Sequence, residues 1–347
     1  MSGKQQKTSI ESVITVGLDI GYGVVKAVTE DQVVTFPSVC GHAREIKFRA
    51  EELATRYPGE QLSDEEGHWF VGDLALSQLP PGESLRLRGR TANEMTIGNI
   101  FRLRLAKVAI GKLLAGVQHG DAIHVRIATG LPVDHMRDAA ELKAVLFGQH
   151  FIQTDAVEMV ANIGEVMVMP QPYGTLYAQT LTPEGDINPG HTYTRTGVCD
   201  VGTYTVDLAL DDDGMYIDVE SGSAESGVHT ALERIDAALE RDYSQKMPYK
   251  TVEEVLQTSC FRASGEIVDY GAVVREALEP LRSATLSLIG EKWKAGKTVD
   301  VIYLSGGGAN FVHETVSEAY KQTRLVRQPQ LANARGYLNY AHFKARS

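Results

Sequence analysis

One short pattern occurs twice in this chain. Val16–Lys26 reads VGLDIGYGVVK, and Gly197–Asp207 reads GVCDVGTYTVD. Each is an apolar run, then Asp-x-Gly, then a second apolar run, with Asp19 and Gly21 in the first and Asp200 and Gly202 in the second. Each then reaches an acidic turn, Glu30-Asp31-Gln32 or Asp211-Asp212-Asp213-Gly214. A repeated strand–Asp–turn–strand unit predicts two related domains facing one another. A cleft between two such turns suits a metal-bound polyphosphate. A carboxylate just past a strand end can hold Mg²⁺, directly or through water. Glycines let the backbone approach phosphate oxygens and offer N–H groups. Asp19 and Asp200 are therefore the candidate metal ligands. Tyr22, Gly23 and Lys26 complete the first turn, and Thr203 adds a hydroxyl to the second. One Asp-x-Gly alone is an ordinary turn; two in matched strand contexts are a much stronger signal.

The remaining sequence fits an α/β chain of 347 residues, long enough for two domains. A net charge of −11 argues against nonspecific nucleic-acid binding by the chain as a whole, so its anion site must be built locally. Cys40, Cys199 and Cys260 are widely spaced, with no CxxC pair, which points to a reducing cytoplasm. No apolar run approaches the ~20 residues of a membrane span, and no membrane attachment is expected. The polar residues 1–12 read as a disordered lead-in.

Strands are expected at 13–18, 24–29, 32–36, 69–71, 124–129, 157–160, 166–169 and 299–304. Residues 41–67 read as an insertion of weak periodicity. Helices are expected near 74–79, 93–116, 136–147, 175–181, 227–243, 251–259, 270–295 and 333–343, with Pro80-Pro81-Gly82 as a breaker. The helix at 93–116 carries Ile97, Phe101, Leu105 and Leu113 on one side. Its Arg102, Arg104, Lys107 and Lys112 read as a solvated face, or as a contact for an acidic partner surface such as another copy. Strands alternating with helices, and paired triple-strand units, predict mixed sheets.

Two further segments carry chemistry. Ser305-Gly306-Gly307-Gly308-Ala309 follows an apolar strand and permits close approach by a flat nucleoside; its bland reading is a flexible turn. Gln171, between the two Asp-x-Gly units, could orient a water without taking its proton. Competing motifs fail. Gly290–Thr298 resembles a P-loop but has one residue too many and precedes a strand. The histidines form no HExxH or Cys/His ligand spacing, and there is no G-x-S-x-G.

Together these parts resemble the actin/Hsp70/sugar-kinase superfamily. Asp19-x-Gly21 with Lys26 looks like its first phosphate loop, Asp200-x-Gly202-Thr203 like the second, and Gly306–Ala309 like its adenosine motif. Gln171–Gly174 and Asn333–Tyr337 fall at the two interdomain connections. Within the superfamily, Trp69–Ala75, Thr129–Pro132 and Ala332–Tyr337 look most like ParM-like bacterial and archaeal actins. The resemblance spans about residues 15–340. It implies a two-lobed, actin-like fold, a duplicated ribonuclease-H-like unit with mixed sheets and an interdomain nucleotide cleft. The corresponding domains are 13–172, with an insertion at about 38–90, and 173–331, with 332–347 returning to the first. It implies ATP and Mg²⁺ as cofactors, the choice between ATP and GTP staying open. It also implies head-to-tail polymerisation controlled by hydrolysis, and a DNA-binding adaptor that couples filaments to plasmid segregation. Glu225 and Gly227 sit where the second domain approaches the nucleoside, and Asp200 and Gln171 take the catalytic roles. ParM-like and MreB-like proteins commonly place Glu at the first connection, so Gln171 implies slower hydrolysis. A non-polymerising ATPase of the same fold is the main alternative. A small-molecule kinase lacks a convincing carboxylate base, and an Hsp70-type chaperone would need a further domain after residue 347.

Overall fold

The computed structural model describes residues 13–80, 83–85, 92–117, 122–294 and 296–346, with side chains undescribed at 92–97. The lead-in at 1–12, the breaker at Pro81-Gly82 and the Ile97 side chain lie outside the described residues.

The first half runs β1 (Ile14–Ile20), β2 (Val24–Val28), β3 (Val33–Pro37), β4 (Cys40–His42), α1 (Ala50–Arg56), β5 (Gln61–Asp64), β6 (Gly67–Val71), α2 (Gly72–Gln78), α3 (Ala92–Leu114) and β7 (Ile123–Leu131). A 3-10 turn (Val133–Asp138), α4 (Ala139–Leu146), β8 (Gly148–Thr154) and β9 (Glu158–Pro170) complete it. The second half runs α5 (Gln171–Thr180), β10 (Arg195–Val201), β11 (Val206–Asp212), β12 (Met215–Tyr216), β13 (Gly222–Ala224), α6 (Val228–Tyr243), α7 (Tyr249–Thr258), β14 (Cys260–Ala263) and β15 (Glu266–Asp269). It ends with α8 (Gly271–Lys292), β16 (Val301–Ser305), α9 (Ala309–Ala319), β17 (Thr323–Leu325) and α10 (Ala332–Arg346).

The sheets are mixed, as the paired units predict. In the nine-stranded sheet, ordered β3-β2-β1-β7-β9-β8-β5-β6-β4, β1 pairs antiparallel with β2 and parallel with β7. The second sheet runs β12-β11-β10-β16-β17, with β10 antiparallel to β11 and parallel to β16. The arrangement around β1 recurs around β10. The two sheets have separate apolar cores, one against α3, the other against α6 to α9. α6 shows why: Ala231, Leu232, Ile235, Ala238 and Leu239 form one buried stripe at helical spacing. A third core holds the halves together. Met169, Tyr173 and Leu176 from β9 and α5 pack with Val198 and Val301 of the second sheet and Tyr337 of α10.

Three local expectations need correction. Strands 157–160 and 166–169 are one strand, β9, and its pairing with β7 shifts register between Val125 and Arg126, where Gly164 is the unpaired extra residue. The helix expected at 136–147 begins as a 3-10 turn and becomes α-helical only at Ala139. The basic side of α3 is not a solvated face. Arg104 is buried, 2.6 Å from both Asp64 and Glu66, and its guanidinium lies 3.5 Å from the centre of the Trp69 ring. Lys112 reaches Glu60 at 2.7 Å. These cations clamp β5, β6 and α2 onto α3, so Arg104 and Lys112 are spent internally and unavailable to a partner.

Candidate functional site

The two Asp-x-Gly turns meet in one cleft. Asp19 and Asp200 sit at the ends of β1 and β10, 2% and 6% exposed. The lining includes Gly21, Tyr22, Lys26, Gln171, Gly202, Thr203, Gly306 and Gly307, all expected from sequence. It also includes Thr205, Asp207, Gln330 and Asn333, which were not expected as site residues. The turns touch: a β-carbon on Gly23 would overlap the Thr203 hydroxyl. A larger residue at 23 would have to displace the Thr203 side chain from the first turn.

Each turn is held from behind. In the first, the Ser38 hydroxyl donates to the Gly21 carbonyl at 2.5 Å, and the Ser38 N–H to the Gly23 carbonyl at 2.9 Å. In the second, the first N–H groups of α6 do this work. Val228 donates to the Gly202 carbonyl and His229 to the Thr203 carbonyl, at 3.2 and 2.8 Å. The first N–H groups of α6 are therefore spent on carbonyls of the second turn, and the positive end of the helix stands behind that turn.

The carboxylates have different company. Lys26 donates to Asp19 at 2.9 Å, and the Gln171 amide donates to the other Asp19 oxygen at 3.3 Å. Gln171 opens α5, directly after Pro170 closes β9. Asp200 faces Asp207 across the β10–β11 pair. Burial, with the charges of Asp19 and Asp207 adding to it, pushes Asp200 up to about 7, against the hydrogen bond from Asn333 and the charge of Lys26. Burial raises Asp207 as well, and its oxygens accept from the hydroxyls of Thr205 and Ser223 and from the Val133 N–H of the first half.

Gly306 takes a left-handed φ of 88°, and a β-carbon there would overlap an Asp200 oxygen. Gly308 donates its N–H to the Val201 carbonyl and caps α9, whose first residue is the buried Ala309. Both thus shape the wall behind Gly306 and Gly307. Gly227 packs against the Thr203 carbonyl and caps α6. Glu225 is exposed in the bend before it and does not line the cleft.

Among the described residues no cluster of three or more His, Cys, Asp or Glu could cage a metal. Asp19, whose oxygens accept from Lys26 and Gln171, and Asp200, with one oxygen on Asn333, fit a cation held largely by phosphate and water, the usual manner of Mg²⁺. A larger concavity of about 930 Å³, lined by Thr29, Glu30, Ala178, Glu184, Arg335 and His342 among others, shares no lining residue with the cleft. Both Asp-x-Gly turns line the smaller space. No described helix is long and apolar enough to cross a membrane.

Residues 17–174 match the family described as actin-like proteins, N-terminal domain, and residues 198–318 match the archaeal actin homologue MreB-like family, C-terminal. No curated protein sequence matches the chain. Three solved structures show the same fold at low identity. A 15-stranded ParM filament from Clostridium botulinum is 20% identical with a TM-score of 0.73, over 95% of this chain and 99% of that one. An archaeal actin homologue in complex with ADP is 19% identical with a TM-score of 0.70, over 96% and 100%. Bacillus thuringiensis ParM with AMPPNP is 14% identical with a TM-score of 0.68, over 96% and 99%.

Proposed function

The chain belongs to the actin-like proteins, and from that premise we propose that it is an ATP-dependent, filament-forming ATPase. The observation that carries this reading is the meeting of the two Asp-x-Gly turns, Gly23 against Thr203, with Asp19, Lys26 and Asp200 around them. Backbone N–H groups of both turns, with Lys26, would hold the phosphates. Asp19 and Asp200 would hold Mg²⁺ through its waters, and the bound cation would neutralise charge on the phosphates. Gln171, on the first connection beside Asp19, would orient the attacking water. Gly306 and Gly307 would receive the nucleoside.

The cleft encloses about 60 Å³, well below the roughly 300–1,000 Å³ of small-molecule sites. Nucleotide entry thus requires the sheets to separate, with α5 and α10 as the hinge. On this reading the lobes are 13–172 and 173–331, and 332–347 returns to the first. Self-association would be head-to-tail, an open-ended contact that gives filaments. ADP, AMPPNP and a filament in structures of the same fold support nucleotide-linked assembly. We extend the reading to cytoplasmic plasmid or DNA segregation through a DNA-binding adaptor.

Sedimentation and light scattering test it, with Mg²⁺ alone and then with ATP, GTP or a non-hydrolysable analogue. The expected result is pelleting with nucleotide, sustained by the analogue and decaying with ATP. Nucleotide turnover without pelleting, across salt and protein concentration, would replace this reading with a non-polymerising ATPase.

A further inference from the structure

Asn333, the second residue of α10, ties its own helix to two other elements, α5 and β10. It is 5% exposed. Its side-chain oxygen accepts both the N–H and the hydroxyl of Thr175 on α5, at 3.1 and 2.7 Å. Its amide nitrogen donates to Asp200 Oδ2 on β10 at 2.6 Å. Turning the amide over would set its NH₂ against the Thr175 N–H and its oxygen against the carboxylate. The orientation is therefore fixed by its partners.

The two helices that Asn333 joins are those on which the sheets would turn. They cross in direct backbone contact. A β-carbon on Gly336 would overlap the Gly174 carbonyl, and one on Gly174 would lie 2.6 Å from the Asn333 α-carbon. Beside this crossing, the Tyr337 hydroxyl donates to the Gln171 carbonyl at 3.3 Å. No slack separates the helices, so a change in their crossing angle must move the Asn333 amide and the Asp200 oxygen it holds.

We propose that Asn333 is a positioning residue that couples the α5–α10 hinge to the orientation of the Asp200 carboxylate. Resting on the nucleotide reading above, this makes capture of a magnesium-bound nucleotide and closure of the cleft one event. Thr175 is the remote end of the relay: it is fully buried and does not line the cleft.

The test is a titration of MgATP into wild type, Thr175→Val, Thr175→Ser, Asn333→Ala and the Thr175→Val/Asn333→Ala double variant. It is paired with amide hydrogen exchange of α5, with and without nucleotide. Loss of a charge-assisted hydrogen bond should weaken binding by about tenfold in Asn333→Ala. Thr175→Val should weaken it in the same direction, Thr175→Ser should restore it, and the double variant should bind no worse than Asn333→Ala. Nucleotide should slow α5 exchange in wild type and leave it unchanged in the weakened variants. A folded Thr175→Val with wild-type affinity and a normal exchange response overturns the coupling, whether or not Asn333→Ala folds. Additive losses in the double variant overturn it too. If wild type itself fails to bind MgATP, the nucleotide reading falls, and the coupling with it.

Discussion

The two half-sites are built on one plan and charged differently. In each, the residue paired across the hairpin from the turn aspartate lies seven positions further along the chain. That partner is Lys26 for Asp19 and Asp207 for Asp200. The first half thus presents a carboxylate already matched by an ammonium. The second presents two buried carboxylates side by side, both pushed up by burial. The support differs as well: a serine side chain braces the first turn and a helix N-terminus the second. Equal topology therefore leaves one half with its carboxylate matched by an ammonium and one half with two carboxylates and no adjoining cation among the described residues. On the proposed reading, a bound magnesium ion would supply positive charge there.

The sharpest way to break this contrast is Asp200→Ala. It should cut phosphate release by at least roughly 100-fold while the circular dichroism spectrum stays native. Unchanged release would remove Asp200 from the mechanism. Lys26→Met attacks the other half. It strands the buried Asp19 without its counter-charge and should cost about 3 kcal/mol in chemical denaturation. A loss confined to nucleotide binding, with stability intact, would mean that Lys26 serves phosphate alone. Ser38→Ala should cost about 1 kcal/mol. The second turn offers no equivalent substitution, since backbone N–H groups brace it.

The smallest effect is in pH. Burial pushes Asp200 from the ordinary carboxylate value of 3.8 up to about 7 in the folded protein. Between these values the folded state holds the extra proton, so this group's contribution to stability falls as pH rises through that window. Asp200→Asn should flatten the melting temperature between pH 5 and pH 8 relative to wild type. A parallel pair of curves would show that the carboxylate is already ionised at pH 5.

The twin turns were legible because their signal is local: two apolar runs, an aspartate and glycines within a dozen residues. So was the Gly306–Gly308 wall. What the sequence hid was long-range pairing. Asn333 lay in a motif placed at the second connection, but nothing near it in the chain announces Asp200 or Thr175 as its partners. Arg104 and Lys112 read as a basic face because Asp64, Glu66 and Glu60 lie far upstream, in a segment of weak periodicity. Asp207 closed the repeated pattern, yet its cleft position follows only from its pairing with Asp200. The bulge at Gly164 interrupts the alternation of β9, so its sequence reads as two strands, and the polar β8 carries no apolar run to mark it.

The most direct measurement is an experimental structure of the protein with Mg²⁺ and a non-hydrolysable ATP analogue. The account predicts the terminal phosphates between Gly21–Gly23 and Gly202–Thr203. Asp19 and Asp200 should lie on the waters of the cation, and the nucleoside should lie against Gly306–Gly307. Analogue bound elsewhere, such as in the groove beside Arg335 and His342, or an empty cleft at saturating analogue, would contradict it.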